Sequence, residues 1–197
     1  MAITSDQELQ DAVYRASVML QEIHDYCGRG REEVGKVQFP RGLIRTATYF
    51  RNILPDYMSV RRKSSCAYGF MFLDVLWWIN RRTDLSGVAK EMVIKSGIIT
   101  LGTILEDVLR IPGQGILAPE SNAGVKLRVD RSHERKWISE IERDALKGLW
   151  DNRNNVHLHL LDANEFDKYR AEDVNVPRLA LNELIANLSA WHVEGNG

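Results

Sequence analysis

The sequence predicts an all-α protein built as an up-and-down bundle of five to six helices. Apolar residues recur at three- and four-residue steps through most of the chain, which is typical of amphipathic helices. Clusters of glycine, proline and polar residues separate these segments. Hydrophobic residues make up 44% and charged residues 27% of 197 residues, a composition typical of globular proteins. This length favours a single domain over residues 1–197.

The first helix is predicted to begin after Ser5 or Asp6, since either side chain can cap free backbone N–H groups. Its apolar residues recur on one face of the helix: Leu9, Val13, Ala16, Leu20 and Ile23. The glycines and charges of "GRGREEVGK", residues 28–36, indicate a solvated loop after it.

The second helix is predicted from Pro40, because proline fits the first turn of a helix, where its missing N–H needs no partner. Pro55 ends it. The third helix is predicted over about residues 64–80. It is apolar nearly all round in its second half, which indicates a central, buried helix.

The fourth helix is predicted over roughly residues 87–110. Gly97 and Gly102 lie inside it and cost helix propensity, about 1 kcal/mol each against alanine. We therefore expect them to permit close approach of a neighbouring helix.

A connection rich in Gly, Pro, Asn and Ser follows, and it predicts a long loop insertion at about residues 111–134. A short hairpin around "GVKLRV" fits within residues 112–133. The fifth helix is predicted over about residues 134–150, and a last helix begins at Pro177.

Composition limits the classes of function. A net charge of −1 and a pI near 6.5 give no global basic field of the kind that marks nucleic-acid-binding proteins, although a local basic site is still compatible. The two cysteines, Cys27 and Cys66, form neither a disulfide framework nor a zinc pattern. The start of the chain lacks a secretory signal, and no apolar run reaches the ~18 residues of a membrane span. These features predict a cytoplasmic protein without membrane insertion.

The segment "LWDNRNNVHLHLLD", residues 149–162, is the most polar part of a helical region and has three interpretations. The first is a helix end, where Asp and Asn side chains cap backbone groups. The second is a metal site. On a strand, His157 and His159 would share one face and could bind zinc or iron with Asp162 or Asp151 as a third ligand.

The third interpretation starts from Arg153, which Asn154 follows directly, and from His159 after five intervening residues. This pattern resembles the motif of the HEPN family of small helical bundles: an arginine, a polar residue, and a histidine after four to six intervening residues. His157, after three, falls outside the motif. The resemblance covers the order of helices over about residues 64–188.

The resemblance implies a metal-independent endoribonuclease, toxin-like or defence-associated, that needs no cofactor. An imidazole titrates near neutrality, so His159 suits removal of the proton from a ribose 2′-hydroxyl, whose oxygen then attacks phosphorus to give a cyclic phosphate. Arg153 would stabilise the phosphate, and Asn154 would orient the histidine or the phosphate. Glu106, on the earlier helix, or Asp151 would hold Arg153 in place.

Helix geometry sets a condition on this motif. Residues six apart on one continuous helix lie about 240° apart around its axis, so Arg153 and His159 would diverge, whereas Arg153 and His157 would share a face. The motif therefore requires a break in the helix or a second subunit. The family commonly dimerises around a shared cleft, which implies a homodimer. His157 is the second choice for the base.

Partners and alternative functions follow from the same residues. Arg128 and Arg131, in the long connection, are candidates for contacting an RNA backbone, and a toxin-like protein implies an antitoxin partner. A different class of function is a catalytically silent helical dimerisation or interaction module, in which the polar segment is an interface. The least favoured alternative is a His-x-His metal-binding protein.

Overall fold

The computed structural model describes residues 2–30, 35–111, 116–117, 124–156 and 168–193. These residues form an all-α fold with seven helices, and they contain no strand. The helices are α1 (Asp6–Cys27), α2 (Ala47–Ile53), α3 (Val60–Arg82), α4 (Gly87–Val108), α5 (Val125–Glu134), α6 (Glu140–Asn154) and α7 (Glu172–Trp191).

The chain divides into two compact units, Met1–Arg41 and Gly42–Gly197. The first unit contains α1, which Ser5 caps by accepting a hydrogen bond from the backbone N–H of Glu8. None of the side chains of α1 is buried. The single domain expected over residues 1–197 stays a prediction.

Helix α4 is the centre of the second unit. It packs against α3, α6 and α7, while α2 packs on α3 and α5 packs on α6. Its fully buried residues include Ile98, Leu101 and Leu105. The sequence predicts instead that α3 is central, but Phe72 of α3 is exposed and both of its tryptophans are only partly buried.

Small residues allow the helices around α4 to approach closely. A Cβ atom at Gly69 of α3 would lie 3.1 Å from Cδ1 of Ile104, and one at Gly97 of α4 would lie 3.1 Å from Cγ2 of Val174 in α7. Both distances are shorter than an ordinary van der Waals contact. Gly97 thus has the role expected from the sequence, and its neighbour is α7.

The connection after α4 differs from the prediction. Residues 125–134, expected as part of a loop or a hairpin, form α5, which buries Val125, Val129 and Ser132 along one stripe. Helix α6 begins at Glu140, six residues later than predicted. Ser139 caps it and forms a full capping box with Glu142.

Two other helix boundaries also differ. Residues 40–46 are not helical, and α2 begins only at Ala47, after Thr46 accepts a hydrogen bond from the N–H of Tyr49. Helix α7 begins at Glu172, so Pro177 lies inside it rather than at its start.

The C-terminus of α4 is held by side chains from distant segments. The Tyr57 hydroxyl donates to the carbonyl of Val108, and Arg128 Nη1 donates to the carbonyl of Leu109 at 2.9 Å. Arg62 donates to the carbonyls of Asp107 and Arg110. These contacts satisfy carbonyl groups that the end of a helix leaves without partners.

Charged side chains interrupt the apolar helices, and Lys90, Glu91 and Lys95 all lie on α4. Within the described part of the chain, no helix combines the length and the hydropathy that crossing a membrane requires.

Candidate functional site

The predicted break in the helix occurs directly after Arg153. Helix α6 ends at Asn154, and Asn155 caps it with φ −86° and ψ 3°, its N–H donating to the carbonyl of Asp151. Helix α6 therefore ends before the position of His159, which itself lies outside the described residues. In the HEPN family the motif lies at or near the start of a helix, whereas here Arg153 lies in the last turn of one.

The side chain of Arg153 crosses α4 at Gly102. A Cβ atom at Gly102 would lie 2.8 Å from Cγ and 3.1 Å from Cβ of Arg153. Real Cβ atoms do not approach so closely, so glycine is required for this crossing. Gly102 thus permits the close helix approach that the sequence predicts, and the side chain that packs against it is Arg153 of the motif.

Three contacts position the guanidinium of Arg153. Its centre lies 4.8 Å from the ring centroid of Trp150, as in a cation–π contact. Its Nη1 donates to Oδ1 of Asn154 at 3.1 Å. Its Nη2 lies 3.8 Å from Oε2 of Glu106. Glu106 is one turn beyond Gly102, so both lie on the face of α4 that meets α6.

The site is partly open to solvent. Arg153 and Glu106 retain 32% and 29% of their side-chain exposure. The other oxygen of Glu106 pairs with Arg110, four residues later on α4. Among the described residues, only Asn154 accepts a hydrogen bond from Arg153.

The other predicted site residues have different partners. Asp151, the alternative support for Arg153, pairs with Lys126 of α5. Arg128 donates to the carbonyl of Leu109, and Arg131 pairs with Glu134 on its own helix. The roles of Arg128 and Arg131 in binding RNA stay predictions.

Both candidate histidines, His157 and His159, lie outside the described residues, as does Asp162, the suggested third metal ligand. Within the described ranges, no three His, Cys, Asp or Glu side chains are grouped as metal ligands would be. The structure thus brings together Arg153, Asn154 and Glu106.

Sequence analysis missed two contributors to this site. Trp150 lies three residues before Arg153 and Arg110 four residues after Glu106, spacings that put each pair on one helix face. The signal was therefore present in the sequence. The sequence does not indicate that Gly102 faces Arg153, because that contact joins two helices far apart along the chain.

The chain matches no family model, no curated protein and no solved structure. The resemblance to the HEPN family therefore rests on the sequence pattern of Arg153, Asn154 and His159, together with the all-α fold of the described residues.

Proposed function

We propose that this protein is a metal-independent endoribonuclease whose phosphate-binding group is Arg153. The observation that carries this proposal is the anchoring of Arg153 across Gly102 to Glu106, at the point where α6 ends. A guanidinium fixed in this way meets an arriving phosphate without first losing rotamer freedom. An arginine serving only as a surface charge would not need a glycine in the facing helix.

The proposed reaction is an internal transesterification. His159 accepts the proton of a ribose 2′-hydroxyl, whose oxygen forms a bond to the adjacent phosphorus. The bond from phosphorus to the 5′-oxygen breaks, and that oxygen takes up a proton from solvent water. The products are a cyclic phosphate and a 5′-hydroxyl. Arg153 donates to the phosphate oxygens, which gain negative charge in the transition state. Asn154 and Glu106 act as positioning residues for Arg153.

The test is cleavage of fluorescently labelled single-stranded RNA by the purified full-length chain in EDTA. Arg153→Ala and His159→Ala are each expected to abolish cleavage with the fold retained, and wild-type products are expected to end in a cyclic phosphate. The matched control is Arg143→Ala on the same helix. Among the described residues, the guanidinium of Arg143 pairs with Glu140 and Asp144, and we expect it to be dispensable for cleavage.

Four results would contradict the proposal or its details. A wild-type chain without activity excludes the nuclease, and so does equal activity in wild type and Arg153→Ala, which points to a contaminating enzyme. Loss of activity in His157→Ala but not in His159→Ala would move the base to His157. Cleavage of an all-deoxy substrate would exclude attack by a 2′-hydroxyl.

A second candidate is a catalytically silent self-association module, and α1 favours it. Among the described residues of its own unit, none buries the apolar side chains of α1. Leu9, Ala16 and Ile23 follow one another at seven-residue steps, as in a helix that packs against a second copy. A dimer in light scattering that Ala16→Glu converts to a monomer, combined with no RNase activity, would support this module over the nuclease.

A further inference from the structure

A second site lies in a cleft bordered by α2, α3 and α7, with a volume of about 300 Å³. Its walls combine apolar side chains, such as Ile53, Leu73 and Ile185, with the guanidinium groups of Arg45 and Arg178. This volume and this mixture of apolar wall and few polar groups are typical of small-molecule sites. The cleft shares no lining residue with the Arg153 site, and the inference does not rest on the proposed function.

Arg45 is fixed in one orientation. Its Nε and Nη2 donate to the two carboxylate oxygens of Asp74, at 3.1 and 2.6 Å, and its backbone N–H donates to Asp74 as well. Its guanidinium centre lies 4.6 Å from the ring centroid of Phe50. Asp74 is buried, and Arg45 occupies both of its oxygens. The hydrogen bond to Asp74 raises the pKa of Arg45.

Arg178 has no such partner. Its Nε is buried and makes no hydrogen bond among the described residues, and the carboxylate of the cleft is already bound to Arg45. Burial and the nearby cation of Arg45 lower the pKa of Arg178, the carboxylate of Asp74 opposes this shift, and Arg81 adds a smaller lowering effect. The cleft therefore holds two guanidinium groups and one carboxylate.

We propose that the cleft between Arg45 and Arg178 binds a small phosphate monoester with an apolar or aromatic body. An unpaired, half-buried cation is costly, and a bound anion removes that cost. Phosphate presents three oxygens, enough to accept from the fork of Arg178 and also from Nη1 of Arg45, which does not donate to Asp74. A carboxylate has only two oxygens, and the fork of Arg178 alone would occupy both of them. Tyr49 and Ile185 give the rest of the ligand an apolar surface.

The experiment titrates the wild-type chain with inorganic phosphate, phenyl phosphate and benzoate at constant ionic strength. Calorimetry gives affinity, and NMR follows the arginine Nε–H signals. We expect the Arg178 signal to shift with both phosphates, and phenyl phosphate to bind more tightly because its ring contacts the apolar wall. Arg178→Met, which keeps an apolar stem, should weaken phenyl phosphate by about tenfold or more.

Arg178→Lys tests the fork geometry and serves if the methionine variant folds poorly; it should bind more weakly than wild type. Arg143→Met is the control, because Arg143 lies in α6 and does not line this cleft. It should bind phenyl phosphate as tightly as wild type does. The proposal is overturned if the Arg178 signal does not respond to either phosphate. Equal binding of benzoate and phenyl phosphate would overturn the choice of phosphate. Unchanged affinity in both Arg178 variants would place the anion elsewhere.

Discussion

Replacing Gly102 with alanine tests the contact that positions Arg153. The added methyl carbon would lie 2.8 Å from Cγ and 3.1 Å from Cβ of Arg153. These atoms are close to the backbone of α6, so they cannot swing away as the tip of a flexible side chain would. Either α6 shifts, or Arg153 changes rotamer and leaves Trp150 and Glu106.

The magnitude follows from two opposing effects. Alanine gains about 1 kcal/mol of helix propensity over glycine. Overpacking at a helix contact costs about 1–3 kcal/mol. We therefore expect Gly102→Ala to lower the free energy of unfolding by about 1 kcal/mol, which corresponds to about 2–4 °C in Tm for a chain of this size.

Gly148→Ala is the matched control, since Gly148 lies inside α6 and a Cβ there would meet no atom within 4 Å. It should raise the unfolding free energy by about 1 kcal/mol, and urea and thermal denaturation would measure both variants. RNA cleavage should fall in Gly102→Ala and persist in Gly148→Ala. Equal stabilisation by the two substitutions would refute the proposed crossing of Arg153 over α4.

Two further predictions concern buried groups. Asp74→Ala leaves the Arg45 guanidinium unpaired and should lower the unfolding free energy by about 2–3 kcal/mol. This loss is smaller than for a fully buried pair because Arg45 is partly hydrated. An unchanged unfolding free energy in urea denaturation would contradict this prediction. Burial, and then the carboxylate of Asp107, raises the pKa of Cys66 to about 12. A thiol reagent at pH 8 should therefore modify only Cys27 in the folded chain, and it should modify both thiols in denaturant. Because the folded pKa lies above the ordinary value of 9.0, the contribution of Cys66 to stability is complete below pH 9 and decreases toward pH 12. Cys66→Ala should flatten that part of the stability curve.

The helices with long apolar periods were predictable from sequence. Helix α4 begins at Gly87, as predicted, and ends at Val108, two residues before the predicted end. The short helix α5 was missed because its stripe has only Val125, Val129 and Ser132, set among charged residues next to a region rich in Gly, Pro and Asn. Alternation in "GVKLRV" favoured a hairpin, but packing against α6 decides the outcome.

The candidate site was predictable only in part. The family resemblance offered Glu106 or Asp151 as the support for Arg153. In the structure, Oε2 of Glu106 lies 3.8 Å from Nη2 of Arg153, and Asp151 pairs with Lys126. The catalytic role of these residues stays a prediction. The Arg45–Asp74 pair joins positions 29 residues apart, and no local pattern in a single sequence specifies such a contact. Periodicity identifies the face of a helix but not the helix that it meets.

The held C-terminus of α4 has a consequence for binding. Helix ends normally fray, because their last carbonyls lack partners and their backbone opens at little cost. Here Tyr57, Arg62 and Arg128 occupy those carbonyls, so amide hydrogens in this turn should exchange with solvent only when a larger part of the bundle opens. Glu106 stands within that turn. The conformational entropy of the Glu106 backbone is thus lost during folding. A ligand at Arg153 therefore need not supply the free energy to order that backbone.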